Sequence, residues 1–193
     1  MIAREGLLRL LETFDRLEIP YMLVGSTVSS VYGFYRATAD VDVVVDLSTE
    51  AVEQFVELLK DEFYVDAEQI STSLKFRRSF NVIHLATAYK FDLFPLKRDA
   101  YSAVQFSRRR HEGTSVFGGE PIELALCTPE DIILNKILWY NLGGRISDRQ
   151  WHDILGVVTI KRIVLDFGYL RKWAVDLAIE DLLESALAER HNE

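Results

Sequence analysis

Apolar residues recur at helical spacing near the N-terminus. Leu7, Leu10, Leu11, Phe14 and Leu17 share one face and predict a helix over 2–18, stopped before Pro20. Arg4, Glu5, Arg9 and Glu12 break into that run, so it reads as an amphipathic helix rather than a secretory leader. "YMLVG" follows as a short buried strand ending in Gly25, and Ser26 is placed to cap a short helix, "TVSSVYGFY". From Asp40 to Leu47 the pattern switches to period two. In "DVDVVVDL", Asp40, Asp42, Val44 and Asp46 lie on one strand face and Val41, Val43 and Val45 on the other.

Ser48 is expected to cap the next helix, "TEAVEQFVELLKDEF", whose stripe is Val52, Phe55, Val56, Leu59 and Phe63. A short helix is expected around "DAEQISTSLK". Two strands, "FNVIHLA" and "YKFDLFPL", then meet at a turn near Thr87. Arg98 to Gly119 is the most polar and least regular stretch, and "EPIELALC" reads as a strand beyond it. The remainder is helical. Thr128 and Pro129 form a capped start, Gly143 and Gly144 a stop, and Ser147 with Gln150 a capping box. Trp151, Ile154, Leu155 and Val158 share a face of the following helix, and one or two more helices complete the chain. The fold class is therefore α+β, a small mixed sheet flanked by helices over 1–127 with a helical C-terminal region over 128–193 packed on it.

Composition narrows the picture. The 193 residues are 49% hydrophobic and 27% charged, as in a globular chain with a sizeable core. No run of about 18 apolar residues suits a membrane span. A single cysteine, Cys127, permits neither an intrachain disulfide nor a cysteine-built zinc site, and fits a cytoplasmic setting. The net charge of −8 is divided as −9 over 1–69, +5 over 70–120 and −4 over 121–193. An acidic chain binds nucleic acid poorly through charge alone. The middle segment, with Lys75, Arg77, Arg78, Lys97, Arg98 and Arg108 to Arg110, is either a local face for anions or a solvated basic hairpin.

The chemistry concentrates in "VGSTVSSVYGFYRATADVDVVVD". Aspartate is disfavoured in strands, and a buried charge needs a partner or a metal. Asp40 and Asp42 point the same way and could share a hard cation such as Mg²⁺; without one they repel and at least one pKa rises. Asp92, between Phe91 and Leu93, raises the same question, and three such aspartates on neighbouring strands would make a two-metal phosphoryl-transfer site. Gly25 permits close backbone approach, the following helix N-terminus offers N–H groups to phosphate oxygens, and Ser26 adds a hydroxyl. Plainer readings stand beside these. Asp40 and Asp42 could lie exposed on an edge strand, with Asp46 capping a turn. Asp92 could pair with Lys90 or Lys97, and Arg36 with Asp40. Lys136 falls inside an apolar arc between Ile132 and Tyr140, so its ammonium needs a phosphate or a core carboxylate such as Asp92. Asp153, four residues after Arg149, is explained by a surface pair. His84 reads as a satisfied core histidine and His152 as solvated. Trp139, Tyr140, Trp151 and Trp173 read as core, and Cys127 as a small buried hydrophobe.

Gly25-Ser26, a spacer over 27–39, Asp40-Val41-Asp42 and the later Asp92 resemble the motif of the nucleotidyltransferase superfamily, whose fold is shared with DNA polymerase β. "RATAD", with Arg36 and Thr38, is similar to the variant found in AbiEii-like proteins, nucleotidyltransferase-like toxins of toxin–antitoxin and phage-defence systems. Lys136 in "TPEDIILNK" is similar to that group's later lysine motif and Asp153 to its final aspartate. The resemblance implies a minimal nucleotidyltransferase fold over 1–127. It also implies two Mg²⁺ ions on Asp40, Asp42 and Asp92, and a nucleoside triphosphate substrate held by Gly25, Ser26, Arg36, Thr38 and Lys136. The acceptor would be tRNA or another RNA, a protein or a small molecule, and an antitoxin protein is an implied partner. The rival expectation is a non-catalytic relative that senses nucleotide or binds protein.

Overall fold

A computed structural model of the protein describes residues 2–189. Residues 190–193 of the expected C-terminal region, and Met1, lie outside that range. Helix α1 (Ile2–Arg16) leads into β1 (Tyr21–Val24), which runs directly into α2 (Gly25–Tyr32). Strand β2 (Asp40–Val45) is followed by α3 (Val52–Leu59), β3 (Phe63–Tyr64), α4 (Ala67–Phe76), β4 (Phe80–His84) and β5 (Tyr89–Pro95). Then come α5 (Ala100–Ser107), β6 (Arg110–Thr114) and β7 (Ile122–Leu126), and finally α6 (Pro129–Leu142), α7 (Asp148–Lys161), α8 (Phe167–Asp176) and α9 (Glu180–Ala188).

Among the described residues the strands form one mixed sheet of seven, in the order β3-β4-β5-β2-β1-β7-β6. β2 is central. It pairs antiparallel with β1 and parallel with β5, in a register that sets Asp40 opposite Lys90 and Asp42 opposite Asp92. The period-two pattern explains its burial: Val41, Val43 and Val45 are wholly buried, while Asp40, Asp42 and Val44 face the other way and are half-buried. The apolar face packs under α1 and α3. Leu7, Leu10, Phe14 and Phe55 are fully buried or nearly so, Phe14 stacks on Tyr21 and Phe55, and Gly6 lies against His84 and Phe91. The edge-strand reading of the two aspartates is thereby excluded.

Several local expectations hold. Thr128 caps α6 by accepting from the Asp131 N–H, with Pro129 in the first turn, and Ser147 accepts from the Gln150 N–H. His84 is buried with Nδ1 2.9 Å from Thr87 Oγ1, and Cys127 is buried as a thiol. Others differ. Ser26 lies inside α2 and Val24 precedes the helix, so no side chain caps it; Ser48 likewise makes no cap bond. The stretch 98–119 is regular after all. Asp99 caps α5, and "RHEGT" forms the edge strand β6, whose exposed polar residues carry no apolar period to read. Trp139 is 57% exposed rather than core. No described helix is long and apolar enough to cross a membrane.

Candidate active site

Glycine is required where β1 turns into α2. Gly25 has φ +67°, and a Cβ there would stand 1.9 Å from Asp42 Oδ2. The Asp42 carboxylate therefore rests against the bare backbone of Gly25, beside the Ser26 amide at the start of α2. The pull of that amide is not enough to hold its proton affinity down. Burial first, then the charges of Asp40 and Asp92, push the Asp42 carboxyl up to about 6, against the opposing pull of Lys136 and the Ser26 amide. The repulsion expected of neighbouring carboxylates falls on Asp42.

Asp40 accepts a hydrogen bond from Thr38 Oγ1 at 3.1 Å. Lys90, opposite Asp40 across the parallel ladder, places Nζ 2.7 Å from Asp92 Oδ2 and 3.7 Å from Asp40 Oδ2. Asp92 thus has the ion pair with Lys90 that the sequence allowed, and the ammonium bridges two of the three carboxylates. The ladder register brings all three aspartates to one face at one end of the sheet.

A second cluster adjoins them. Asp153 is not on the surface with Arg149. Its side chain is 2% exposed and accepts from Arg36 Nε and Nη2, both at 2.9 Å, and from Lys136 Nζ at 2.8 Å. The i,i+4 reading failed because the helix face of Asp153 is set by tertiary contact. Gly33 and Gly156 let the chain after α2 pack against the α7 backbone: a Cβ on Gly33 would meet Val157 N at 2.8 Å, and one on Gly156 would meet Phe34 N at 2.9 Å. That approach carries Asp153, one turn earlier on α7, to Arg36. Arg36 accordingly pairs with Asp153 rather than Asp40, and Nη2 also donates to Ser26 Oγ. Lys136 has found a core carboxylate, but it is Asp153 and not Asp92.

The charges in this cluster are mutually adjusted. Burial alone would raise the Asp153 carboxyl, yet the bonds from Arg36 and Lys136 leave it below the usual carboxylate range. Burial pulls the Lys136 ammonium below its ordinary value, with Asp153 and Asp42 resisting. Ser26, Arg36, Asp153 and Lys136 therefore form one continuous polar chain ending beside Asp42. All nine residues singled out in the sequence gather at this end of the sheet. What the sequence concealed is Asp153 as the shared anchor of both cations; Lys136, a cation inside an apolar arc, was the available signal.

The fold of the described residues, a mixed seven-stranded sheet with helices around it, matches nucleotidyltransferase-like folds. The chain is similar in structure to the antigenic nucleotidyltransferase-like protein from Paracoccidioides brasiliensis, with 94% of this chain and 90% of that one covered, a TM-score of 0.53 and 17% identity. It is also similar to the antibiotic-resistance factor ANT(2'')-Ia, covering 94% of this chain and 91% of that one at a TM-score of 0.50 and 12% identity. At such identities the shared property is the fold. No protein-family model matches the sequence, and no curated protein matches it.

Proposed function

We propose that this protein transfers a nucleoside monophosphate from a nucleoside triphosphate to an acceptor hydroxyl, with Mg²⁺ as cofactor. The observation that carries this reading is the set of Asp40, Asp42 and Asp92 on one face of paired parallel strands, at the end where α2 begins. The donor chemistry fits a hard divalent cation: the groups are all carboxylates, and Asp42 has a raised proton affinity that a cation would relieve. As the side chains stand, no three such donors converge on a point among the described residues, and Lys90 supplies the positive charge. Lys90 is 39% exposed on a flexible stem, so an ion can take its place as the ammonium swings to water. Held by the three aspartates, two such ions would neutralise the triphosphate and polarise the phosphoryl group under attack.

The residues of the chain do the rest. The N–H groups opening α2 and the Ser26 hydroxyl meet phosphate oxygens, and Arg36 and Lys136 add positive charge fixed in place by Asp153. Thr38 holds Asp40 in orientation. Asp92 orients the acceptor hydroxyl and takes its proton as the acceptor oxygen bonds to the α-phosphorus and the bond to pyrophosphate breaks. The finer reading, a toxin with an antitoxin partner, is supported by the Arg36-x-Thr38-x-Asp40 pattern, and an RNA acceptor such as tRNA by the basic middle segment.

Lys90 favours a second reading. A site neutralised by its own ammonium suits a non-catalytic module that senses nucleotide or binds protein. Calorimetry with Mg²⁺ and each of the four nucleoside triphosphates separates the two. Metal-dependent binding by the wild type that is lost in Asp40→Ala/Asp42→Ala is expected. Absence of binding by the folded wild type would overturn the metal-site assignment.

A further inference from the structure

A cleft of about 630 Å³ opens beside the aspartates, on the far side of the segment 35–38 that carries Arg36 and Thr38. Its walls come from five places: Ala3 at the start of α1, Thr27 and Ser30 on α2, the segment 35–38, Tyr89 at the start of β5, and the loop joining β6 to β7. The size is ordinary for a small-molecule site. The loop wall is held rather than loose. Arg4 Nη1 donates to the carbonyls of Gly118 and Glu120, each at 2.7 Å, and thereby anchors the loop that carries Val116 and Phe117.

The chemistry of these walls is distinctive. Rings are supplied by Tyr35, Tyr89 and Phe117, and hydroxyls by Thr27, Thr38 and Ser115, while the Ser30 hydroxyl is taken up by the backbone of Ser26 and Arg36. Thr27 Oγ1 is buried without a hydrogen-bond partner among the described residues, a position that asks for a polar group from elsewhere. The one charged lining residue, Arg36, has its Nε and Nη2 taken up by Asp153 and Ser26. No carboxylate lines the cleft, so a polyamine has nothing to pair with, and none of the exposed basic residues of the middle segment reaches it to bind a phosphate backbone. The cleft communicates with the candidate centre through Thr38, whose hydroxyl bonds Asp40 and whose carbonyl accepts from the Tyr89 phenol at 3.2 Å.

We propose that this cleft binds a neutral, hydroxylated ring compound, with Phe117 and the tyrosines against its flat face and the threonine and serine hydroxyls on its polar edge. The proposal rests on the nucleotidyl-transfer reading, in which the ring belongs either to the nucleoside half of the triphosphate or to a small acceptor. Backbone amide shifts of the full chain with Mg²⁺ test it, using adenosine, phenyl β-D-glucoside, tobramycin and a tRNA acceptor-stem minihelix as probes. Shifts at Thr38, Val116 and Phe117 with adenosine or with the glucoside are expected, and which of the two binds tells the nucleoside source from the acceptor source. Phe117→Ala should weaken that binding roughly fivefold to a hundredfold, the range of aromatic stacking. Thr27→Val, nearly unchanged in shape, should weaken it too. Shifts confined to tobramycin or the minihelix, or none with any probe, would overturn the proposal. Mg²⁺-ATP is read separately at the Gly25 and Ser26 amides, so failure there removes the nucleotidyl-transfer reading and leaves the cleft result distinct.

Discussion

Asp42 is where the conflict at this site is concentrated. Its carboxyl is pushed up to about 6, so it gains a proton on folding rather than losing one. Its contribution to stability is therefore complete below the unfolded value near 4 and is lost as pH rises through about 6. A metal ion needs the deprotonated form, so Mg²⁺ affinity should climb from about pH 5, flatten above about pH 6 and stay level to about pH 8 in a calorimetric titration. Lys90 competes for the same carboxylates. Lys90→Met should tighten Mg²⁺ by about tenfold at each pH, because the ammonium no longer has to be displaced. An unchanged affinity would show that Lys90 stands aside from the ion. Gly25 belongs to the same scale, since no other residue leaves room for the Asp42 carboxylate at that backbone angle.

Among the elements, the β6–β7 hairpin shows most plainly what pattern reading misses. β6 is an edge strand of exposed polar residues, paired on one side only, and its sequence "RHEGT" carries no alternation. Its place is fixed by distant contacts. Tyr32 Oη donates to Glu112 from α2, and Arg4 donates to the hairpin loop from α1. Arg4→Ala should release the loop alone. Amide hydrogen exchange over 115–120 is expected to speed up roughly tenfold to a hundredfold, as two charge-assisted hydrogen bonds are lost, while α6 and α7 keep their protection. Acceleration spread over the whole sheet would mean that Arg4 supports the core and not the loop. By contrast α1, β2 and α6 were readable, because a repeating apolar face or a cap with proline at the first turn is a local signal.

At the scale of the molecule, Asp153 ties two of the C-terminal helices to the segment leading into β2. Its carboxylate on α7 joins Lys136 on α6 to Arg36, which precedes β2. Removing it would leave two cations facing each other in a largely dry site. Asp153→Ala should cost about 3–5 kcal/mol in urea unfolding, the usual penalty for orphaning a buried charge. A loss under about 1 kcal/mol would mean that water reaches the pair and screens it.

The aspartates, the glycine turn, the alternation in β2 and the mixed α+β order are properties of the sequence itself, because strand period, backbone freedom and charge in an apolar run are local. Even the demand that Lys136 find an anion follows from its position on a helical wheel. The partner itself could not be read so. Which carboxylate answers Lys136, how Lys90 comes to reach Asp40 as well as Asp92, and which loop walls the cleft depend on residues far apart in the chain meeting at one place. Asp153 looked like a surface residue because Arg149 lies one turn away, and only the close packing of Gly33 against α7 turns it inward. Pairing over long separations is decided by how faces fit and how much charge each can bury, and those quantities exist only once the chain has folded.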